Sequence, residues 1–367
     1  MQESTSASPG ARRTVISIDA MGGDRGPAAI VAGIARFVQE DKDQHSFLLH
    51  GPEKKLSPLV KRWKLSDTVT IRDVDGVVAM DDKPSHVMRH GKGTSMWSTI
   101  EAVRDKDADI AVSCGNTGAL MAVSMIRLRK LPGVNRPAIA CLWPSRNPGG
   151  FNIMLDVGAD IRADAADLLQ YALMGTSYAR NGLNLPRPRV GLLNVGTEEH
   201  KGRSELHEAS ELIANCADEA NLEFVGFVEG NDIPSAKVDV IVTDGFTGNI
   251  ALKTGEGTAR LVGDFLREAF KATPLSRIAA LLAMTSLRRL NHRIDPRRVN
   301  GGVFLGLNGT VIKSHGSADA TGVAAAIKLA AQLADTGFTE RLAARVASVG
   351  LASQDIPVGQ AEPDKNK

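Results

Sequence analysis

The chain has 367 residues, of which 43% are hydrophobic, so it can bury the core of one large domain or of two smaller ones. Its formal net charge is +2, which argues against a surface built as a whole to coat nucleic acid or membrane. The three cysteines are widely spaced and include no Cys-x-x-Cys pair. This usage excludes a disulfide framework and a zinc ribbon, and it fits a reducing cytoplasm.

The two ends of the chain differ in composition from the rest. Residues 1–13 lack the apolar segment of a secretory signal, so they predict a disordered tail, and residues 351–367 predict a flexible C-terminal tail. No uninterrupted apolar stretch approaches the length of a membrane span. We therefore expect one α/β catalytic domain over residues 14–350, with a helical protrusion at about 272–300.

The first predicted strand, residues 15–18, leads into the glycine-rich turn DAMGGDRGP and then into a helix over Pro27–Glu40. Gly22 and Gly23 would let the backbone approach a ligand closely. The turn also contains Asp19 and Asp24, whose carboxylates repel phosphate. The turn alone therefore leaves an anion site, a metal site and a tight corner open.

The same pattern of a short apolar strand, a glycine-rich polar turn and usually a helix recurs along the chain. It predicts an α/β fold with a mostly parallel sheet that is covered by helices on both faces. Since loops that follow parallel strands lie at one edge of a sheet, we expect the polar turns to converge there. The further strands are predicted at 109–112, 151–155, 190–194, 238–242 and 310–312, and the further helices at about 119–129, 204–219, 250–270 and 320–335.

Two turns have the same form, Gly115-x-Thr117-Gly118 and Gly245-x-Thr247-Gly248, and each precedes a predicted helix. Exposed N–H groups at the start of a helix favour an anion, and a threonine there can cap the helix or bind a ligand oxygen. Two ordinary helix caps are the alternative. Because both turns are expected at one edge, an anion pocket is the preferred interpretation.

The sequence does not match several better-known motifs. The spacing of Gly22, Gly23 and Gly26 does not match the dinucleotide fingerprint, and the run around Lys92 does not match a P-loop. His86 and His90 are four residues apart but lack the glutamate of a zincin, so no metal site is predicted. Cys114 could act as a nucleophile, but a small buried residue is the favoured interpretation.

Read together, the turns resemble those of the bacterial acyl-carrier-protein:phosphate acyltransferase family. The resemblance extends from about Val15 to Arg345, and its first and fifth motifs are the specific ones. Two positions depart from the family pattern: Cys114 replaces a small residue such as alanine, and Ala318 replaces a common serine. Because the family pattern has no cysteine at position 114, covalent catalysis through Cys114 is not expected. The motifs are DAMGGD (19–24), GNTGALM (115–121), LDVGA (155–159), GLLNVGTE (191–198), TDGFTGN (243–249) and HGS (315–317).

The resemblance implies that a long-chain acyl group moves from the acyl carrier protein to inorganic phosphate, which yields acyl phosphate for phospholipid synthesis. It also implies a homodimer, no cofactor and no metal, and a Rossmann-like fold similar to isocitrate dehydrogenases and phosphotransacetylases. The protein would work in the cytoplasm in peripheral contact with an anionic membrane, without nucleic acid as a partner.

The predicted site residues follow from these motifs. The catalytic candidates are Lys201, His315 and Asn116; Asp19 would orient Lys201, His315 or a backbone N–H, and Asp24 would cap a helix or hold a neighbouring loop. The predicted substrate- and phosphate-binding residues are Asp19, Gly22, Gly23, Asp24, Thr117, Gly118, Asn194, Gly196, Thr197, Asp244, Gly245, Thr247, Gly248 and Asn249.

Two basic segments are candidate contact surfaces. Lys83, Arg89 and Lys92, with His90, would dock the acidic carrier protein. Residues 277–298 contain six arginines and one acid, and they predict two short helices joined near 285–286 or one broad apolar face. This segment would pack in the core or against a second subunit, or rest on anionic lipid. Its key residues are Leu287, Arg288, Arg289, Leu290 and Arg293.

Two other classes of function remain open from the residues alone. An isocitrate-type NAD(P)-dependent dehydrogenase would be stabilised by NAD or NADP. A non-enzymatic basic scaffold at the membrane would depend on residues 277–298 alone, and it leaves the six polar turns unexplained.

Overall fold

A computed structural model describes residues 13–40, 45–198, 200–287, 289 and 301–344. Its eleven strands form one sheet in the order β3-β2-β1-β4-β11-β10-β5-β6-β9-β7-β8. The strands are β1 (Thr14–Asp19), β2 (His45–Gly51), β3 (Val69–Asp73), β4 (Ile110–Ser113), β5 (Ala138–Pro144), β6 (Phe151–Leu155), β7 (Arg189–Leu193), β8 (Glu223–Val228), β9 (Val240–Val242), β10 (Gly302–Leu305) and β11 (Thr310–Lys313).

Ten helices with defined bounds accompany the sheet within the described residues. Two further helical segments lie at residues 284–287 and 338–344. The ten are α1 (Gly26–Glu40), α2 (Glu53–Arg62), α3 (Pro84–His90), α4 (Ser95–Arg104), α5 (Thr117–Arg127), α6 (Ala165–Gly182), α7 (Ser204–Cys216), α8 (Gly245–Lys271), α9 (Pro274–Leu282) and α10 (Ala320–Asp335).

Consecutive residues of the central strands are apolar. Because alternate residues of a strand point to opposite faces of the sheet, both faces are apolar. Ile153 and Leu155 of β6 belong to one hydrophobic core, whereas Met154 between them belongs to a second one. Helices α1, α2, α6, α7 and α10 cover the first core, and α3, α4 and α5 cover the second. The predicted sheet with helices on both faces is therefore confirmed.

The sheet is mostly parallel, as predicted, since seven of the ten strand pairings described are parallel. Strand β10 is antiparallel to both β11 and β5, and β5 is antiparallel to β6. As a result, β6, β7 and β9 run in the direction opposite to β1, β4 and β11. The expectation that all six polar turns lie at one edge is wrong, because the turns after these two sets of strands lie at opposite edges.

Helix α8 connects the two edges. It begins directly after β9 and passes over β5, where Gly255 lies so close to Trp143 that a Cβ atom would collide with the indole ring. The prediction started this helix near residue 250; the structure starts it at Gly245, so the glycine-rich turn forms the first helical turn.

The far half of α8 and the whole of α9 form a pair that we call the α8–α9 hairpin (residues 257–282). In α8 only Gly245 and Gly248 are buried, and no residue of α9 is buried. Helix α9 ends at Leu282, and a helical segment follows at 284–287, so the predicted break exists but lies before residues 285–286. Of the predicted contact residues, Leu287 is half-buried and Arg289 is exposed, whereas Arg288, Leu290 and Arg293 lie outside the described residues. The two predicted tails also lie outside them, except for Arg13.

None of the helices in the described part of the chain combines the length and the apolar character that a membrane-spanning segment requires.

A buried histidine links the sheet to α4. His50 Nε2 and Ser17 Oγ are 2.8 Å apart, and Ser17 Oγ donates its own proton to the carbonyl oxygen of Thr99. Nε2 must therefore carry a proton, so Nδ1 accepts from Ser98 Oγ at 2.8 Å. Burial, together with the charge of Arg72, lowers the pKa of His50 to about 3, so the folded protein holds the neutral ring.

Acidification should therefore destabilise the protein through His50. Between pH 6.5 and 3 the unfolded chain binds a proton that the folded protein excludes, so the free energy of unfolding falls as pH falls. From pH 7 to pH 5 this amounts to about 2 kcal/mol. We predict that the loss, measured by urea denaturation, is smaller by about that amount in His50→Gln. His86→Gln, at an exposed position, should retain the wild-type loss, and an unchanged loss in His50→Gln would contradict the assignment.

Candidate functional site

The turns after β1, β4 and β11 form one group, which we call the first loop cluster (residues 19–24, 115–118 and 313–316). Asp19 is buried at its centre and accepts hydrogen bonds from Ser95 Oγ and Ser113 Oγ, both at 2.7 Å. It also accepts from the N–H groups of Met21 and Gly22 at 3.2 Å. Burial raises the pKa of Asp19, although these hydrogen bonds act in the opposite direction. Of the partners predicted for Asp19, the structure shows backbone N–H groups, and not Lys201 or His315.

The glycines of the first turn allow these loops to touch. A Cβ atom on Gly22 would lie 2.7 Å from the backbone nitrogen of Gly115. Gly23 has a φ of 91°, which disfavours other residues, and a Cβ atom there would lie 2.8 Å from the carbonyl oxygen of Gly316. That same oxygen accepts from the N–H of Asp24 at 2.7 Å. This contact is made by the backbone of residue 24, so the role predicted for the Asp24 side chain stays a prediction.

Asn116 caps α5. Its Oδ1 accepts from the N–H of Ala119 at 3.0 Å, and its Nδ2 donates to the carbonyl oxygens of Met80 at 2.8 Å and Asp82 at 3.1 Å. The side chain of this predicted catalytic residue therefore orders the helix start and the segment before α3. The N–H groups of Thr117 and Gly118 lie in the first turn, where the intrahelical ladder provides no acceptor.

Charged side chains gather next to this helix start. His315 Nε2 lies 2.9 Å from Glu256 Oε1, and Lys253 Nζ lies 3.0 Å from Glu256 Oε2. Lys313 reaches the carbonyl oxygens of Ser314 and, at 3.5 Å, of Cys114. Burial lowers the pKa of Lys313 to about 8. The first loop cluster thus combines exposed helix N–H groups with two lysines and a histidine.

Cys114 is buried beside these groups, and burial raises the pKa of its thiol to about 11. The thiol therefore stays protonated at neutral pH, which agrees with the favoured interpretation of a small core residue.

Sequence reasoning missed Lys253, Glu256 and Lys313. Lys313 directly follows the predicted strand 310–312, so its position at a strand end was a usable signal. Lys253 and Glu256 had only the i,i+3 spacing of an ordinary surface pair, and tertiary packing alone brings them to the first loop cluster.

The turns after β6, β7 and β9 form the second loop cluster (residues 156–160, 194–198 with 201, and 244–249). Asn194 Nδ2 donates to the carbonyl oxygen of Lys201 at 2.9 Å, and its Oδ1 accepts from the N–H of Val195 at 2.8 Å. Lys201 Nζ pairs with Glu198 Oε1 at 2.7 Å, and this hydrogen bond raises the pKa of the lysine. The stem of Lys201 covers buried Gly196, whereas Thr197 is exposed.

At the N-terminus of α8, a cap and close packing already occupy the space and the donors that an anion would need. Asp244 caps the helix by accepting from the N–H of Thr247 at 2.7 Å, and its other oxygen pairs with Arg203 at 2.5 Å. The N–H of Gly245 already donates to the carbonyl oxygen of Asp160 at 2.7 Å. A Cβ atom on Gly248 would collide with the backbone of the 156–160 turn.

The two Gly-x-Thr-Gly motifs are therefore not equivalent. Thr117 is the first residue of α5, whereas Thr247 is the third residue of α8. The glycines at 245 and 248 serve close packing, and Asn249 is exposed beside Gly158. The single anion pocket expected from both motifs is wrong in this form, because they lie in different clusters. Gly245 and Glu256 are about 16 Å apart along α8 at 1.5 Å per residue.

The predicted docking residues border the first loop cluster. Lys83 precedes α3 as its N-cap, Arg89 lies in its last turn and Lys92 follows it, and all three are exposed. Helix α3 packs against α5, and Pro84 lies within 2.9 Å of a Cβ atom built on Gly118. A basic surface therefore adjoins the open end of α5.

Comparison with known proteins gives the family and the fold of the chain. The profile of the family described as "Fatty acid synthesis protein" matches residues 14–341. A phosphate acyltransferase of Cereibacter sphaeroides is 70% identical over 359 residues, which cover 98% of this chain and 97% of that protein. A phosphate acyltransferase of Jannaschia sp. is 72% identical over 341 residues, or 93% of each chain. A phosphotransacetylase structure from Streptococcus pyogenes is 17% identical with a TM-score of 0.58, covers 88% of this chain and 94% of its own, and supports the fold alone.

Proposed function

Because the chain belongs to the phosphate acyltransferase family, we propose that it is an acyltransferase that moves a fatty acyl group to inorganic phosphate for phospholipid synthesis. The high identity over nearly the full length of named relatives carries this proposal. This identity favours acyl transfer over the two alternative functions, an NAD(P)-dependent dehydrogenase and a non-enzymatic membrane scaffold. The acyl donor in this proposal is a thioester on acyl carrier protein.

The chemistry places modest demands on the protein. A phosphate oxygen attacks the thioester carbonyl carbon, the carbon–sulfur bond then breaks, and the products are acyl phosphate and the free carrier thiol. The proton of hydrogen phosphate balances the proton that the thiolate takes up, so no oxidant, metal or covalent enzyme intermediate is required. The protein has to bind phosphate, align it with the thioester and stabilise the oxyanion.

We place phosphate at the first loop cluster. The N–H groups of Thr117 and Gly118 point out of α5, and Lys253 and Lys313 add positive charge nearby. His315 lies at the same place and can carry a proton between phosphate and sulfur. In the second loop cluster Lys201 and Arg203 each face a carboxylate, as Lys253 does in the first, whereas Lys313 of the first cluster donates to backbone carbonyl oxygens.

Lys201 nevertheless remains a predicted ligand of phosphate or of the oxyanion. Its pair with Glu198 is exposed on both sides, and solvent weakens such pairs, so a substrate anion can replace the glutamate.

We predict that Lys201→Ala lowers kcat/KM for acyl-phosphate formation at least about tenfold, since it would remove a charged contact to the transition state. The assay supplies palmitoyl carrier protein and phosphate and traps the product with hydroxylamine. Lys237→Ala is the matched control, because Lys237 is similarly exposed and pairs with Asp232 at 2.9 Å; it should stay within about twofold of wild type. A loss under about threefold in Lys201→Ala would remove that residue from the site. Absence of acyl phosphate with the wild-type protein would refute the proposed function itself.

The carrier protein would dock on the basic surface around α3. Arg89 and Lys92 are exposed next to the open end of α5, which suits an acidic partner that delivers its thioester there.

We predict that Arg89→Glu with Lys92→Glu raises KM for acyl carrier protein about tenfold and weakens its dependence on salt, because opposite charges would become like charges. Initial rates at several salt concentrations measure both effects. Lys54→Glu with Lys55→Glu, an exposed pair on α2 at the opposite face, is the control. An unchanged KM would exclude this surface.

The α8–α9 hairpin would join two copies of the chain and contact the membrane. Leu261, Val262 and Phe265 are all more than half exposed along α8, at spacings that place them on one face. Leu282, at the end of α9, is 85% exposed. Exposed apolar patches on a soluble protein often mark interaction sites, and an apolar helical face suits a self-complementary dimer.

We predict that Phe265→Glu converts a dimer into a monomer in sedimentation, because a charge would be buried in the subunit contact. Leu282→Glu should instead remain dimeric and lose most binding to vesicles that contain anionic lipid. Asp264→Ala, on the same helix, should change neither result. If wild type sediments as a monomer, or if Leu282→Glu binds vesicles normally, the corresponding part of the proposal is wrong.

A further inference from the structure

Glu256 joins α8 to the turn after β11. Its side chain is only 16% exposed, and its two oxygens have different partners: Oε1 lies 2.9 Å from His315 Nε2, and Oε2 lies 3.0 Å from Lys253 Nζ. The carboxylate is the innermost member of this group, because both partners are more exposed than it is.

The pairing determines the state of the histidine ring. An ionised carboxylate can only accept hydrogen bonds, so the proton of a neutral His315 ring has to be on Nε2. The same contact fixes the rotation of the ring about its side-chain bonds. A proton carrier whose tautomer and orientation are fixed in advance loses less free energy on reaching the transition state.

The carboxylate is well suited to this task. Burial by itself would raise the pKa of Glu256, but the hydrogen bonds from His315 and Lys253 outweigh burial and lower it to about 2. Glu256 is therefore ionised throughout the neutral range, and it cannot act as the proton donor there.

We propose that Glu256 is a positioning residue for acyl transfer, which holds His315 in the Nε2-protonated tautomer beside the N-terminus of α5. This inference rests on the proposed function, since it concerns the same site. It assigns a role in the reaction to α8, although that helix starts at the opposite edge of the sheet.

A purely structural clamp is the competing explanation. Such a clamp would stabilise the contact between α8 and the turn after β11, and its loss would lower the melting temperature. It would not make the effect of Glu256 on kcat depend on the presence of His315.

The test is a double-mutant cycle of Glu256→Gln and His315→Ala, measured by hydroxamate trapping with palmitoyl carrier protein and phosphate. In the wild-type background we expect Glu256→Gln to lower kcat at least about tenfold, because an amide can also stabilise the other tautomer. In the His315→Ala background the same substitution should lower kcat less than about twofold. Glu211→Gln, an exposed glutamate on α7, should match wild type.

A second readout does not depend on activity. In 15N spectra of histidine-labelled protein, with His315 assigned from the His315→Ala spectrum, wild type should show a protonated Nε2. Glu256→Gln should show a mixture of tautomers. Melting temperatures of all variants show whether the fold is retained, and Glu256→Asp should recover part of the lost kcat.

Several results would overturn the inference. They are full activity of Glu256→Gln where His315→Ala is inactive, full activity of His315→Ala itself, or an equal loss from Glu256→Gln with and without His315. An unchanged tautomer in Glu256→Gln would also overturn it. If wild type forms no acyl phosphate, the proposed function fails, while the spectra still test the pairing of Glu256 with His315.

Discussion

Three successive antiparallel pairings, β11 with β10, β10 with β5 and β5 with β6, reverse the direction of the strands halfway across the sheet. Each half remains a parallel α/β unit whose polar turns follow the carboxyl ends of its strands. Because the halves run in opposite directions, their turns open at opposite edges, and an element that crosses the sheet is needed to relate them. Helix α8 is that element, since it starts against the turn after β6 and reaches the turn after β11 at Glu256.

Two buried aspartates show how each half builds its turns. Asp19 ends β1 and accepts four hydrogen bonds, and Asp156 follows β6 and accepts from the N–H groups of Ile139, Ala159 and Asp160 at 2.7 to 2.9 Å. A buried carboxylate is costly unless hydrogen bonds surround it, so each aspartate can be accommodated only when its turn is correctly folded. Asp19 in the first turn therefore organises donors within the protein, which explains why a carboxylate can lie in a loop next to the proposed phosphate site.

Local patterns in the sequence were sufficient for many elements. The strand Phe151–Leu155 and the helix Ala320–Asp335 have the predicted bounds, because each has a clear period and a clear turn or cap at its ends. Strand direction has no comparable local signal, so the antiparallel pairings of β10 and β5 were not predicted, and the expectation of a single edge was therefore wrong. The resemblance to a family made His315 a candidate, but its partner Glu256 is 59 residues away on another element, and only folding brings the two together.

The position of α8 depends on a small number of contacts. Its first turn packs on the 156–160 turn through Gly245 and Gly248, its middle packs on Trp143 through Gly255, and Glu256 binds His315. Beyond Glu256 no residue of the helix is buried, and α9, which packs against it there, has no buried residue either. A surface that covers the exposed apolar residues there would fix the direction of the helix, and with it the place of Glu256 against His315. The same helix therefore carries the apolar surface and one part of the candidate site, and the two cannot be positioned independently.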